Sequence, residues 1–250
     1  MDPAQIVIIV IAVILGATIK SVTGMGLPVI AVPIISIFAG PEVAIAVLAI
    51  PNTIQNVLLV VANRSARRET IGLVRFSITA VIGAVIGTLL LGIVPEDVIK
   101  ILLILILITY ITNSLRARHH RLTTTAAQRW APVTGMAAGL SQGASGISGP
   151  IVGAWYHAVG VPRQAFVFSV ATVFLVSGAA QAVVLAQTGL LSGRLVISVL
   201  LTLLVAATIP LGSRLGARLG GRGFDRAVLA LLAVSTLALL GEVIAGRLSG

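Results

Sequence analysis

The chain has 250 residues, 58% of them hydrophobic and 10% charged, with a net charge of +10 and no cysteine. Soluble domains carry charge on about a quarter of their residues, so this composition, with a mean hydropathy of +1.12, excludes a soluble globular domain and places the chain in a membrane. Lack of cysteine excludes disulfides, thiolate metal sites and cysteine nucleophiles, and an apolar mass of Leu, Val, Ile and Ala without alternating ten-residue segments reads as helices in lipid rather than a β-barrel.

The opening Met1-Asp2-Pro3-Ala4-Gln5 has no basic n-region and no small-residue cleavage site, so the first apolar segment is expected to be retained, with no signal peptide. Residues 6–38 are apolar except for the break Lys20-Ser21-Val22-Thr23-Gly24-Met25-Gly26-Leu27-Pro28. As one helix this run would be about 50 Å long against a hydrocarbon core of about 30 Å. Interrupted, residues 6–19 and 28–38 extend about 21 and 16 Å, so neither piece spans and both stop near the midplane. Glycine relaxes the backbone at such a break, and proline suits the first turn of the next helix, where its missing N–H removes no bond. Gly40-Pro41-Glu42 then turns the chain into a span over residues 43–62, followed by a loop bearing Arg64, Arg67 and Arg68. Residues 71–94 and 98–111 form two more spans around the acidic turn Pro95-Glu96-Asp97.

Residues 116–130, with Arg116, Arg118, His119, His120, Arg121 and Arg129, are a basic linker dividing a repeat over 1–115 from a repeat over 131–250. The second repeat opens like the first. Its break, Ser141-Gln142-Gly143-Ala144-Ser145-Gly146-Ile147-Ser148-Gly149-Pro150, lies 122 positions later (145 − 23), pairing Thr23 with Ser145, Gly24 with Gly146, Met25 with Ile147 and Pro28 with Pro150. Short pieces over 131–140 and 150–159 flank it, and Gly160-Val161-Pro162-Arg163 corresponds to Gly40-Pro41-Glu42. Spans over 165–186, 195–211 and 227–245 follow, with Arg214, Arg218, Arg222 and Arg226 between the last two.

Three loops, around 64–75, 116–129 and 214–226, hold twelve of the seventeen Lys and Arg residues, which makes them cytoplasmic by the positive-inside rule. A broken segment and two spans separate the second loop from the third, so the broken segment must enter and leave on one side. The same form in the first half puts both termini outside and inverts the halves, with the two hairpin tips meeting near the midplane. The expected fold is therefore an all-α polytopic membrane protein of two inverted repeats, each a broken, re-entrant helical hairpin plus three transmembrane helices. Inverted repeats with broken helices are the architecture of many secondary transporters.

Lys20 is the one cation far inside an apolar segment, where a lysine costs about 2.5 to 3.5 kcal/mol on insertion scales and by default marks function. The plainer readings are that it neutralises Glu42 or snorkels to an interface. Helix N-termini at Pro28 and Pro150 would each direct free N–H groups and about half an elementary charge at the tips, which favours an anion. Ser21, Thr23, Ser141, Gln142, Ser145 and Ser148 add neutral donors there, while Gly24, Gly26 and Gly146 permit close backbone approach. Asn52, Gln55 and Asn56 share one face of the following span, as do Ser177 and Gln181 in the counterpart, lining a pathway or gluing helices together. Gly83-Ala84-Val85-Ile86-Gly87 and the series Gly212, Gly216, Gly220 fit close packing within the molecule or a homodimer. Gly146-Ile147-Ser148-Gly149 also matches the short G-x-S-G pattern of intramembrane serine proteases, with His157 nearby, so such a hydrolase stands as an alternative, beside a channel-like anion pore. No metal-ligand cluster or P-loop suggests a metal, a cofactor or an ATPase. The cations lie between apolar segments without aromatic interleaving, so the expected partners are a small anion and lipid, not nucleic acid.

Together, Gly16-x-x-x-Lys20-x-x-Thr23-Gly24-x-Gly26-x-Pro28 and Gly139-x-x-x-Gly143-x-Ser145-Gly146-x-x-Gly149-Pro150, with Pro162 and Arg163 after the latter, resemble the TauE/SafE family over nearly the whole length. The resemblance implies a multi-pass carrier of the bacterial inner membrane, not an enzyme, exporting small sulfur-containing anions such as sulfite or organosulfonates. Nothing in the residues distinguishes sulfite from sulfoacetate or another small carboxylate.

Overall fold

The computed structural model describes residues 3–23, 25–116, 121–219 and 222–248, with the side chains of 21–23, 113–116, 209–219, 222–228, 231 and 246–248 left aside. These residues form ten α-helices and no strand: α1 (Pro3–Thr23), α2 (Leu27–Ala39), α3 (Pro41–Ala62), α4 (Leu73–Leu91), α5 (Glu96–Arg116), α6 (Thr124–Ser145), α7 (Gly149–Val159), α8 (Arg163–Gln187), α9 (Leu195–Leu219) and α10 (Arg222–Leu248). A 3-10 turn, Arg64–Glu69, carries the first basic loop. Pro3–Lys20, Pro41–Ala62, Leu73–Leu91 and Arg163–Gln187 are long and apolar enough to cross a membrane. The chain is an all-helical polytopic membrane protein.

Both broken segments fold back as helical hairpins. Gln5 Nε2, in the first turn of α1, donates to Phe38 O at the end of α2 (2.9 Å), and Leu122 N, just before α6, donates to Ala158 O at the end of α7 (2.8 Å). Each hairpin therefore has its two outer ends side by side. The arms are unequal, which corrects the expectation of two short pieces. Helices α1 and α6 have 21 and 22 residues and, at about 1.5 Å per residue, reach spanning length; α2 and α7, with 13 and 11, are the half-length arms. Residues 124–130, expected in the linker, are instead the first turns of α6, because Thr123 caps the helix by accepting from Ala126 N (3.3 Å). Among the described residues the non-helical breaks shrink to 25–26 and 146–148. Lys20 and Gln142 thus sit in the last helical turns before the glycines.

The closest packing joins α4 to α6. A Cβ built on Gly139 would lie 2.1 Å from Ala80 O, one on Gly143 2.3 Å from Ala84 O, and ones on Gly83 and Gly87 2.5 Å from Met136 O and Leu140 O. Backbone rests on backbone along this seam, the small-residue mode by which helices associate in lipid. This is the intramolecular use of Gly83 and Gly87; the series Gly212, Gly216, Gly220 lies outside the described side chains. The opposite face of α4, with Val74, Ile78, Ile82 and Ile86 at four-residue spacing, is exposed and apolar, as a lipid-facing stripe must be.

Buried side chains form two cores. One draws on α1, α2, α3, α5, α9 and α10; the other draws on α4, α6, α7 and α8. The cores exchange helices between the halves: α4 of the first half lies on α6 and α8, while α9 of the second lies on α1 and α3, and α10 on α5 and α2. Helices α3 and α8 pack against each other where the cores meet, with Thr53 Oγ1 3.1 Å from a Cβ built on Gly178. Pro51 interrupts α3 and cannot donate to Val47 O. Ser198 of α9 supplies the missing hydrogen bond (3.0 Å), so the proline ties α9 to α3 rather than leaving an unpaired carbonyl in the interior.

Candidate functional site at the paired helix breaks

The glycines shape both breaks. Gly26 precedes α2 in an extended conformation, φ 165 and ψ −35, and a side chain there would meet Ile19 Cγ2 at 2.9 Å and Lys20 N at 3.0 Å. Gly146 ends α6 at φ 71, a left-handed conformation that glycine adopts without a Cβ penalty. Pro28 and Pro150 are second residues of α2 and α7, as the first-turn preference of proline requires.

Each tip plugs into the opposite core. Ile147 is fully buried among residues of the first core, and a Cβ on Gly146 would touch Ile45 Cγ1 (3.3 Å) and Val32 Cγ2 (3.5 Å). Met25 packs with the second core, its Sδ 2.7 Å from a Cβ built on Gly153 of α7. Met25 and Ile147 are the very residues that align when the two breaks are superposed in sequence, so the tips exchange places reciprocally.

Lys20 is fully buried. Its Nζ donates to Asn52 Oδ1 of α3 (2.6 Å) and stands 5.8 Å from the centroid of the Phe174 ring of α8, a cation–π contact. Among the described residues no carboxylate reaches it: the ion pairs there join Lys100 to Glu96 and Glu242, both at 3.1 Å. Neutralisation by Glu42 and snorkelling both fall away, the latter because no part of the side chain is exposed. Gln55 Nε2 donates to Ala17 O of α1 (3.4 Å), which places Gln55 beside Lys20. Gln55 Oε1 and both polar atoms of the buried Asn56 have no partner among the described residues.

The second break builds a neutral network. Ser148 Oγ donates to Gln142 Oε1 (2.8 Å) and Gln142 Nε2 to Gln181 Oε1 of α8 (3.0 Å). Gln181 Nε2 donates back to Gln142 O (2.8 Å) and Gly143 O (3.2 Å), two carbonyls of the last turn of α6. Ser141 Oγ donates to Ile147 O, and Ser145 Oγ to Ser141 O (2.7 Å). The carbonyl side of this break is thus closed by the protein's own donors. On its N–H side neither α2 nor α7 has a side-chain cap: Gly26 has no side chain, and at α7 the Ser148 carbonyl takes Ile151 N (3.1 Å) and Val152 N (3.0 Å) while its hydroxyl turns to Gln142. Two positive helix ends remain for another partner.

Of the predicted site residues, the structure gathers Lys20, Asn52 and Gln55 into one group, with Gly26 against it, and Ser141, Gln142, Ser145, Gly146 and Ser148 into a second. Gly24 and the side chains of Ser21 and Thr23 lie outside the described residues. Phe174 joins the groups: its ring lies under Lys20, and its Cζ is 4.0 Å from a Cβ built on Gly149. Sequence reasoning passed over Phe174, yet it lies 122 positions after Asn52 (174 − 52), the same offset that aligns the breaks. The side chains of both groups are at most 8% exposed, so the site is closed. Ser148 and His157 stand at opposite ends of α7, with the His157 ring edge-on to Phe166 at 5.9 Å, and do not form a serine–histidine pair.

A family model described as "Sulfite exporter TauE/SafE" matches residues 8–239. Comparison with curated proteins and with solved structures finds no match. Both helix breaks, the buried lysine and the helices that surround them fall within the family match, and the chain belongs to the TauE/SafE sulfite exporter family, whose members are membrane transporters.

Proposed function

We propose that the protein is a secondary transporter that exports small sulfur-containing anions, sulfite or organosulfonates, across a bacterial inner membrane, binding them between the two helix breaks. The observation that carries this reading is a fully buried lysine amine with only neutral partners, together with two helix N-termini, one at each break, without side-chain caps. Such a site holds positive charge that water cannot solvate, and a sulfonate or sulfite supplies both the compensating charge and oxygens for the N–H groups. The two halves, one carrying α1 to α5 and the other α6 to α10, joined by a basic cytoplasmic linker that ends where Thr123 caps α6, are read as inverted repeats. Support comes from the exchanged packing of α4 and α9 and from the reciprocal seating of Met25 and Ile147 in opposite cores. The closed site favours a carrier, which exposes its substrate to one side at a time by moving one core against the other, over a continuously open pore.

Purified protein in proteoliposomes, preloaded with unlabelled anion, should accumulate labelled sulfite or isethionate transiently above equilibrium, the counterflow of a carrier. Linear, non-saturating flux without counterflow would refute the carrier. Counterflow confined to carboxylates would refute the substrate class.

A further inference from the structure

We infer that Lys20 carries a proton with the anion, so that transport is an electroneutral co-movement of one anion and one proton. The inference rests on the anion-transport reading above and extends it to the coupling ion. A transporter must also return empty, and in the empty state the Lys20 charge has no counter-charge: its described partners are the Asn52 oxygen and the face of Phe174. An uncompensated charge in a low-dielectric interior is costly, and the group escapes by losing either the charge or its isolation. An arriving anion ends the isolation. When the anion leaves, loss of the proton removes the charge.

Among the described residues no other titratable group touches the Lys20 amine; on α7, whose start lies against Phe174, Tyr156 and His157 stand at the far end. The seven acidic residues are Asp2, Glu42, Glu69, Glu96, Asp97, Asp225 and Glu242. None occurs in 6–38, so neither the first hairpin nor its break contains a carboxylate. The helices that meet Lys20 carry titratable groups only toward their ends: Glu42 on α3, Arg163 on α8, and Arg214 and Arg218 on α9, while α2 has none. Glu242 and Glu96 are held by Lys100. Asn52 Oδ1 accepts from the ammonium and cannot take its proton. The Gln55 and Asn56 carboxamides, with unpartnered polar atoms one turn further along α3, mark polar ground beside the amine.

The step balances simply. In the loaded state the ammonium and the anion form a neutral pair. On release the anion departs, one N–H bond of the ammonium breaks, its electron pair stays on nitrogen, and the proton passes to water on the side where the anion left. The neutral amine then crosses the occluded state alone. Every charge that crosses with the anion is matched.

Isethionate, whose sulfonate stays ionised throughout the working pH range, is the probe, because its own protonation adds nothing to the count. In proteoliposomes with a trapped pH dye, each isethionate entering should bring one proton. Clamping the membrane potential with potassium and valinomycin should leave the initial rate within twofold. Lys20→Arg, whose guanidinium does not give up its proton, should lose proton-coupled net uptake at least tenfold while remaining monodisperse in detergent. Potential-driven isethionate uptake without proton entry would overturn the inference while leaving the transport reading intact. So would Lys20→Arg protein that still moves one proton per isethionate. Absence of any flux would overturn the transport reading and the coupling with it.

Discussion

Replacing Lys20 by Ala tests the site most directly, because structure and binding respond in opposite ways. The substitution removes a fully buried lysine, which on insertion scales relieves about 2.5 to 3.5 kcal/mol. It also deprives Asn52 Oδ1 of its 2.6 Å hydrogen bond, and an unsatisfied buried acceptor costs about 1 to 3 kcal/mol. These terms nearly cancel, so the variant should express, insert and melt in detergent within a few degrees of the parent. Binding has no such compensation. A hydrogen bond to a charged group contributes about 1.5 to 3 kcal/mol, so sulfonate affinity should fall about ten- to a hundredfold. Titration of purified protein with isethionate, read by ligand-induced change in melting temperature and by calorimetry, measures both quantities on one sample. Unchanged affinity in a normally melting variant would show that the lysine is structural and that the first break does not hold the substrate.

The remaining expectations concern the frame around this charge. Gly139→Leu should destabilise the protein by at least about 1 to 3 kcal/mol through overpacking, since even a Cβ there would lie 2.1 Å from Ala80 O; Gly241→Leu, where nothing lies within 4 Å, is the control, and equal melting of the two would refute the packing argument. Gln181→Leu removes the donor and acceptor that close the carbonyl side of the second break, leaving Gln142 short of a partner at about 1 to 3 kcal/mol. Its melting temperature should drop, with a smaller loss of isethionate affinity than Lys20→Ala causes; an unchanged melting curve would refute the network's role. Single cysteines, placed in a chain that has none, should react with impermeant reagent on intact cells at position 96 and not at 67, 121 or 222. External labelling of position 121 would refute the inverted arrangement. Because one lysine faces the site, a monoanionic sulfonate should compete at least about tenfold better than sulfate, whose second charge would be buried without a partner.

Much of the fold was legible because lipid imposes simple rules. Span length, the positive-inside count and the two breaks at one offset point to the helices and the hairpins, and the Gln5–Phe38 and Leu122–Ala158 hydrogen bonds bear out the hairpins. The errors fell where hydropathy is a poor guide. Residues 124–130 look like linker because they are polar, yet Thr123 is a ready N-cap and the helix starts there. Lys20, Ser141 and Gln142 look like part of the breaks because they are polar, yet a polar side chain does not end a helix, and among the described residues only 25–26 and 146–148 leave it. Phe174 was illegible for a different reason. An aromatic residue on an apolar helix reads as core, and nothing short of its place under Lys20 reveals a second use.

The same offset that aligns the breaks places Gln142 where the first repeat has Lys20 (142 − 20 = 122), and Phe174 where it has Asn52. At each of these paired positions one half is charged or polar where the other is neutral or aromatic, and the structure shows why both halves cannot be alike. Gln142 is held from two sides, accepting from Ser148 and donating to Gln181, so its arm is satisfied without a ligand. A second lysine there would bury a second positive charge at the paired break, with a cost that a single small anion could not offset in a medium of low dielectric constant. With one lysine, the Phe174 ring can face the cation while its far edge meets Gly149 at the start of α7. The charge therefore belongs to the first hairpin and the rigid neutral framework to the second, and an anion seated between them would be charge-paired by one half and oriented by the other.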